Sequence, residues 1–203
     1  MGGNDIIQNR TLSKLRKYLR IARANEIAER YLIMNGFDGA LAILGVIIGS
    51  YVVGVNDAKI ILSAGLGVSF AMGISGAWGA FMAERAQRVK NIKELEQAMF
   101  TDLKNSIIDR ASIVAVLWVA LVDALSPIIT ALITLSPFLL AFYGILPLGD
   151  AMIASIILNL TVLFTLGLFL GRVSKSSKFK QGILMVLAGI VTLLFLLLLE
   201  LAF

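Results

Sequence analysis

Five long apolar stretches constrain the fold of this chain more than any other feature of its sequence. Each is long enough to cross a hydrocarbon core about 30 Å thick, and they occupy about residues 37–55, 60–83, 112–143, 150–171 and 182–203. Of the 203 residues, 59% are hydrophobic, whereas a soluble domain has about 45–50%. Because lipid cannot satisfy free backbone groups, such stretches cross it as helices. The sequence therefore predicts an all-α integral membrane protein with about five transmembrane helices.

The third stretch, 112–143, is too long for one straight crossing, and it contains Pro127 and Pro137. Proline removes a backbone donor and clashes with the preceding helical turn. We therefore expect the two prolines to kink or end this helix.

Two charged segments outside the apolar stretches have the pattern of amphipathic helices. Residues 1–36 carry seven Lys or Arg residues against three acidic ones, with apolar residues at helical spacing. This pattern predicts a basic amphipathic N-terminal helix on an anionic lipid surface, and a solvated tail that only sets orientation is the alternative. Residues 84–110 interleave charged and apolar residues at three-to-four spacing, which predicts a cytoplasmic helix that continues the second span.

The basic residues predict the orientation of the chain. With five spans, every Lys and Arg residue except Lys59 falls on one side of the membrane. The positive-inside rule then places the N-terminus inside and the C-terminus outside. The same asymmetry accounts for the net charge of +5 without nucleic-acid binding, and we expect a multi-pass protein of the cell membrane.

The chain contains neither cysteine nor histidine. Disulfides, thiolate nucleophiles, Cys/His zinc sites and histidine acid–base chemistry are therefore excluded. A metal site would have to use carboxylate, carbonyl, hydroxyl and methionine donors, which suit Mg²⁺, Mn²⁺ or Fe²⁺ better than Zn²⁺ or Cu²⁺.

Two aspartates within the apolar stretches, Asp38 and Asp123, are the main candidates for a functional site. A carboxylate inside a membrane costs roughly 2.5–3.5 kcal/mol on insertion scales, so function is the default explanation. For Asp38 the alternative is a helix N-cap, since Asp38-Gly39 precedes an apolar run. For Asp123 the alternative is pairing with a polar group in the bundle. Four further polar residues are expected to form helix–helix hydrogen bonds: Ser75, Ser126, Asn159 and Thr161.

The order of several short motifs resembles the vacuolar iron transporter family, which includes the nodulin-21-like transporters of plants. The first span opens with Asn35-Gly36-Phe37-Asp38-Gly39, and the second opens with Ala64-Gly65-Leu66 and closes with Arg85-x-Gln87. The third span contains Pro127 and Pro137, and a basic loop over 171–182 precedes the last span. Five spans with the N-terminus inside is also the arrangement of that family.

The resemblance implies a homodimer that exchanges Fe²⁺ or Mn²⁺ for protons, with the ion path where the first two spans of each subunit meet. Asp38 matches the first-span aspartate of the family and would bind the ion in each subunit. Met72, Ser75 and Glu84 would lie nearby. Asp123 lies outside the family pattern, and in this hypothesis it takes up or releases the coupling proton. We expect no catalytic residue and no permanently bound cofactor.

The second span departs from the family pattern and leaves an alternative function open. Ser75-Gly76 stands where the family has Ser-Met, Ala80 where it has Glu, and Val68 where an acid is usual. The alternative is a non-transporting membrane scaffold or accessory subunit that kept the fold but lost these ligands. Its charged helices would hold a soluble partner or anionic lipid. An intramembrane enzyme that uses Asp38 and Asp123 ranks third, because no accompanying motif is present.

Overall fold

A computed structural model describes residues 13–200, with side chains through residue 198. These residues form helices joined by short turns, and no strand occurs among them. The helices are α1 (residues 13–21), α2 (Ala24–Val52), α3 (Ala58–Met99), α4 (Ile107–Phe142), α5 (Leu148–Val173) and α6 (Lys178–Glu200). Each of α2 to α6 is long and apolar enough to cross a membrane. The predicted all-α membrane fold with five spans is therefore confirmed.

The helix of the first span begins earlier than the sequence indicates. It starts at Ala24 rather than at 37, so the predicted N-terminal helix over 1–36 is divided by a turn at residues 22–23. Residues 1–12 of that prediction lie outside the described part of the chain. The helix begins at Ala24 because Ala24 and Ala28 are buried in apolar clusters, although charged residues surround them in sequence. Hydropathy alone does not detect this contact.

The second span and the charged segment after it form one helix, as expected, but that helix ends at Met99. The predicted helix over 84–110 is broken at 100–106, where Phe100 and Asn105 have φ of 50° and 61°. The Ser106 hydroxyl then accepts a hydrogen bond from the Asp109 backbone N–H at 3.2 Å. This cap begins α4 at Ile107, so residues 107–110 belong to the third span.

Neither proline ends α4, which runs without interruption from Ile107 to Phe142. Pro137 cannot donate to the carbonyl of Ile133, four residues earlier. The Ser136 hydroxyl donates to that carbonyl instead, at 2.8 Å. A neighbouring hydroxyl thus replaces the lost backbone donor. Of the two expected effects of the prolines, an end of the helix is wrong, and a kink stays a prediction.

The chain divides into two compact units. Unit 1 is the described part of Met1–Tyr31 with Gly76–Asp123, and unit 2 is Leu32–Ser75 with Ala124–Phe203. In unit 1, α1 and the start of α2 pack on α4 through Leu19, Ala24 and Ala111.

In unit 2, the largest core cluster joins α2, α3, α4 and α5 around Ile47, Leu135 and Phe138. Close contact of α5 with α6 also belongs to unit 2. A Cβ at Gly167 of α5 would lie 2.5 Å from Gly182 Cα of α6, so only glycine fits there.

Candidate functional site

Asp38 lies at the midpoint of α2, fourteen residues from Ala24 and fourteen from Val52. At 1.5 Å per residue it is about 21 Å from either end of the helix. Its interpretation as an N-cap is therefore wrong, because the helix begins well before it. The Asp38 side chain is exposed on unit 2, so in this unit it faces outward from the middle of an apolar helix.

Small residues continue the face of α2 that carries Asp38. Ala42, Gly45 and Gly49 follow at helical spacing. A Cβ added at Gly45 or Gly49 would meet nothing within 4 Å. These glycines therefore do not serve packing inside the described part of unit 2, and the face is left open.

A second face of α2 is closely packed within unit 2. A Cβ at Gly39 would lie 2.7 Å from Pro127 Cα of α4, and one at Gly36 would lie 2.8 Å from Ser126 Oγ. The Ser126 hydroxyl donates to the Leu32 carbonyl at 2.5 Å. Helix α2 thus has one glycine face, at Gly36 and Gly39, that packs against α4 within unit 2. Its other glycine face, at Gly45 and Gly49, has no such close contact.

The predicted hydrogen bonds between helices are confirmed for Ser126 and for Asn159. Asn159 is buried on α5 and donates from Nδ2 to the Ala40 carbonyl of α2 at 2.8 Å. The prediction is wrong for Thr161, which donates to Ile157 in its own helix. Ser155 Oγ and Asn159 Oδ1, one turn apart, are buried with no hydrogen-bond partner among the described residues.

The residues predicted to hold a metal are divided between the two units. Asp38, Met72 and Ser75 belong to unit 2, and Glu84 belongs to unit 1. Within unit 2 the Met72 side chain is half-buried and Ser75 is exposed. Residues 13–200 contain no group of three or more Asp, Glu, His or Cys side chains that could hold a metal ion.

Glu84 and Asp123 belong to a polar cluster inside unit 1. Glu84 Oε2 lies 3.9 Å from Arg88 Nε, and the Tyr31 hydroxyl donates a hydrogen bond to the Glu84 carboxylate. The Asp123 carboxylate, on a residue only 2% exposed, acts electrostatically on the same hydroxyl. Arg88 also donates to the Ala22 carbonyl at 2.8 Å. The cluster therefore joins α2, α3 and α4 in unit 1.

The sequence does not identify Tyr31 or Arg88 as members of this cluster. The i,i+4 spacing of Glu84 and Arg88 is the one local signal for an ion pair. Tyr31 gave no signal, because a tyrosine among apolar helix positions resembles any other core residue.

Comparisons with known proteins give one relative. The uncharacterized protein MJ0645 of Methanocaldococcus jannaschii is 33% identical over 181 residues, which are 88% of this chain and 91% of the relative. No protein-family model matches the chain, and no solved structure matches it.

Proposed function

This chain belongs to the same family as the archaeal protein, and we propose that it is a proton-coupled transporter of a divalent metal cation, Fe²⁺ or Mn²⁺, that works as a homodimer. One observation carries the proposal: Asp38 is exposed at the midpoint of an apolar helix. A carboxylate in contact with lipid costs roughly 2.5–3.5 kcal/mol on insertion scales. A second subunit that covers this face would remove Asp38 from lipid.

The open glycines support a second copy of this chain as the covering partner. Gly45 and Gly49 are four residues apart on the face of Asp38, and a Cβ added at either would meet nothing within 4 Å. This spacing lets two membrane helices approach closely. A twofold axis would place the same face of each subunit together, so the Asp38 carboxylates of two subunits would meet.

Two carboxylates at such an interface repel each other unless a cation lies between them. A divalent ion balances both charges, and oxygen donors suit Mn²⁺ and Fe²⁺. Met72 and Ser75, in the same unit as Asp38, would supply further ligands. Glu84 belongs to the other unit, where it pairs with Arg88 and accepts a hydrogen bond from the Tyr31 hydroxyl.

Asp123 carries the coupling proton in this proposal. What supports this role is that the Asp123 carboxylate belongs to a residue only 2% exposed. The Tyr31 hydroxyl, on which Asp123 acts, is the group through which that change of charge would reach Glu84.

The test is uptake of Fe²⁺ or Mn²⁺ into proteoliposomes under a pH gradient. Asp38→Asn should abolish uptake, because the amide cannot balance a divalent charge. Asp150→Asn is the matched control, since Asp150 is exposed in the first turn of α5. Undiminished uptake by Asp38→Asn, in a protein that remains dimeric, would overturn the assignment of the ligand.

A non-transporting scaffold is the second candidate, and the absence of a metal-holding group among residues 13–200 favours it. In that case two Asp38 side chains would share a proton across packed glycines rather than bind a metal. Metal binding to the purified dimer, measured for several divalent ions with and without Asp38→Asn, distinguishes the two. A stable dimer that binds no divalent ion would support the scaffold.

A further inference from the structure

Three arginines line one cavity at the corner between α1 and α2. Arg16, Arg20 and Arg23 surround a space of about 470 Å³ together with Leu19, Asn25 and Glu26. All three arginines are exposed. Within the described part of the chain none of them forms an ion pair, although Glu26 lines the same cavity. Three positively charged side chains thus line one cavity without an acidic partner in an ion pair among the described residues.

The surrounding unit holds this corner in place from two sides. Leu19 and Ala22 pack against Ala111 and Ala115 of α4. The guanidinium of Arg88 on α3 donates to the Ala22 carbonyl at 2.8 Å. The backbone that carries the arginines is therefore fixed by α3 and α4, and the cavity does not depend on a free tail.

We propose that this cavity binds the phosphate of an anionic phospholipid headgroup. A guanidinium pairs with phosphate oxygens through two parallel hydrogen bonds, which favours phosphate over other anions. The first turn of α2, which begins at Ala24, adds the partial positive charge of a helix N-terminus. Glu26 lowers the net charge of the cavity and weakens anion binding without abolishing it.

The position of the cavity identifies lipid as the source of the phosphate. It lies at the start of α2, a helix long and apolar enough to cross a membrane, and basic residues at such a point attract anionic lipids. Apolar side chains are also exposed in the same unit, with Ile21 of α1 at 43% and Ile113 of α4 at 58%. These side chains would contact the acyl chains of a lipid whose phosphate the arginines hold.

The experiment measures lipid binding to the purified full-length protein in neutral detergent by native mass spectrometry. Phosphatidylglycerol should bind more tightly than phosphatidylcholine. Arg16→Gln/Arg20→Gln/Arg23→Gln should weaken phosphatidylglycerol binding at least tenfold, because each lost basic residue removes an attraction to anionic lipid. The matched control is Lys175→Gln/Lys178→Gln/Lys180→Gln, which removes the same charge from the turn before α6 and from the first turn of α6 and should change binding less than twofold.

Further arms of the experiment separate the alternatives. Glu26→Gln should strengthen phosphatidylglycerol binding, and the single variant Arg20→Gln should weaken it. These two variants test the proposal if the triple arginine variant does not fold. Equal losses in the arginine and lysine variants would overturn the proposal, because general surface charge would then explain binding. Inorganic phosphate that binds to the cavity and displaces the lipid at millimolar concentration would overturn the lipid as the ligand.

Discussion

The two units of this protein differ in whether their charged side chains inside helices have partners within the unit. In unit 1, Glu84, Arg88 and Tyr31 satisfy one another within the unit. In the described part of unit 2, Asp38 is the one acidic or basic side chain more than three residues from a helix end, and it is exposed. Unit 1 therefore pairs these charges internally, whereas the described part of unit 2 leaves Asp38 exposed.

The largest effect on stability is expected where unit 1 pairs its charges. Arg88→Met leaves Glu84 unpaired, with a side chain only 12% exposed, and removes the hydrogen bond to Ala22. We expect a loss of about 3 kcal/mol in the free energy of unfolding, measured by thermal unfolding in detergent.

Lys90→Met is the matched control for this prediction. Its pair with Glu94 is exposed, at 68% and 62% of the two side chains, so the expected loss is below about 0.5 kcal/mol. Equal effects of the two substitutions would show that the cluster in unit 1 adds no more than a surface ion pair.

A smaller effect is expected on the packed glycine face of unit 2. Gly39→Ala places a methyl group 2.7 Å from the Pro127 backbone, which cannot move aside easily, and should cost about 1–3 kcal/mol. Gly45→Ala meets nothing within 4 Å in the described part of unit 2, so the monomer should gain up to about 1 kcal/mol from helix propensity, whereas association of the proposed homodimer should weaken. Thermal unfolding of both variants in detergent tests the difference between the two faces of α2, and similar losses would contradict it.

The smallest effect is expected at the polar atoms buried in unit 2. Ser155→Ala removes a hydroxyl that has no hydrogen-bond partner among the described residues. Stability should stay equal or rise by up to about 1 kcal/mol, because an unsatisfied buried polar group is lost. A clear destabilisation in the same unfolding measurement would mean that the hydroxyl binds a ligand or a water molecule.

The sequence predicts the helices of this protein well and their ends poorly. Five apolar stretches identify five spans because length and hydropathy alone decide which segments enter lipid. The start of α2 at Ala24 depends on burial of Ala24 and Ala28 among other helices, and sequence spacing does not reveal such contacts. The sequence also does not reveal that the Ser136 hydroxyl replaces the backbone donor missing at Pro137, because this depends on the direction of the side chain.

The candidate residues were predictable as residue types but not in their surroundings. A carboxylate in an apolar stretch identifies Asp38 and Asp123, because its cost in lipid is large wherever it points. Which helix face is covered depends on packing, so the exposure of Asp38 and the burial of Asp123 become visible only in the fold. Tyr31, Glu84 and Asp123 are far apart in sequence, and no local spacing relates all three.

The hydrogen bond from Asn159 to the Ala40 carbonyl fixes the register of α2 against α5, and with it the position of Asp38 relative to α5. Ala40 is two residues from Asp38 on the same helix, and the amide that holds it belongs to α5. Sliding α2 along α5 by a single residue, about 1.5 Å, would break this bond in the buried core. A displacement of Asp38 along the axis of α2 that keeps this bond therefore carries α5 with α2.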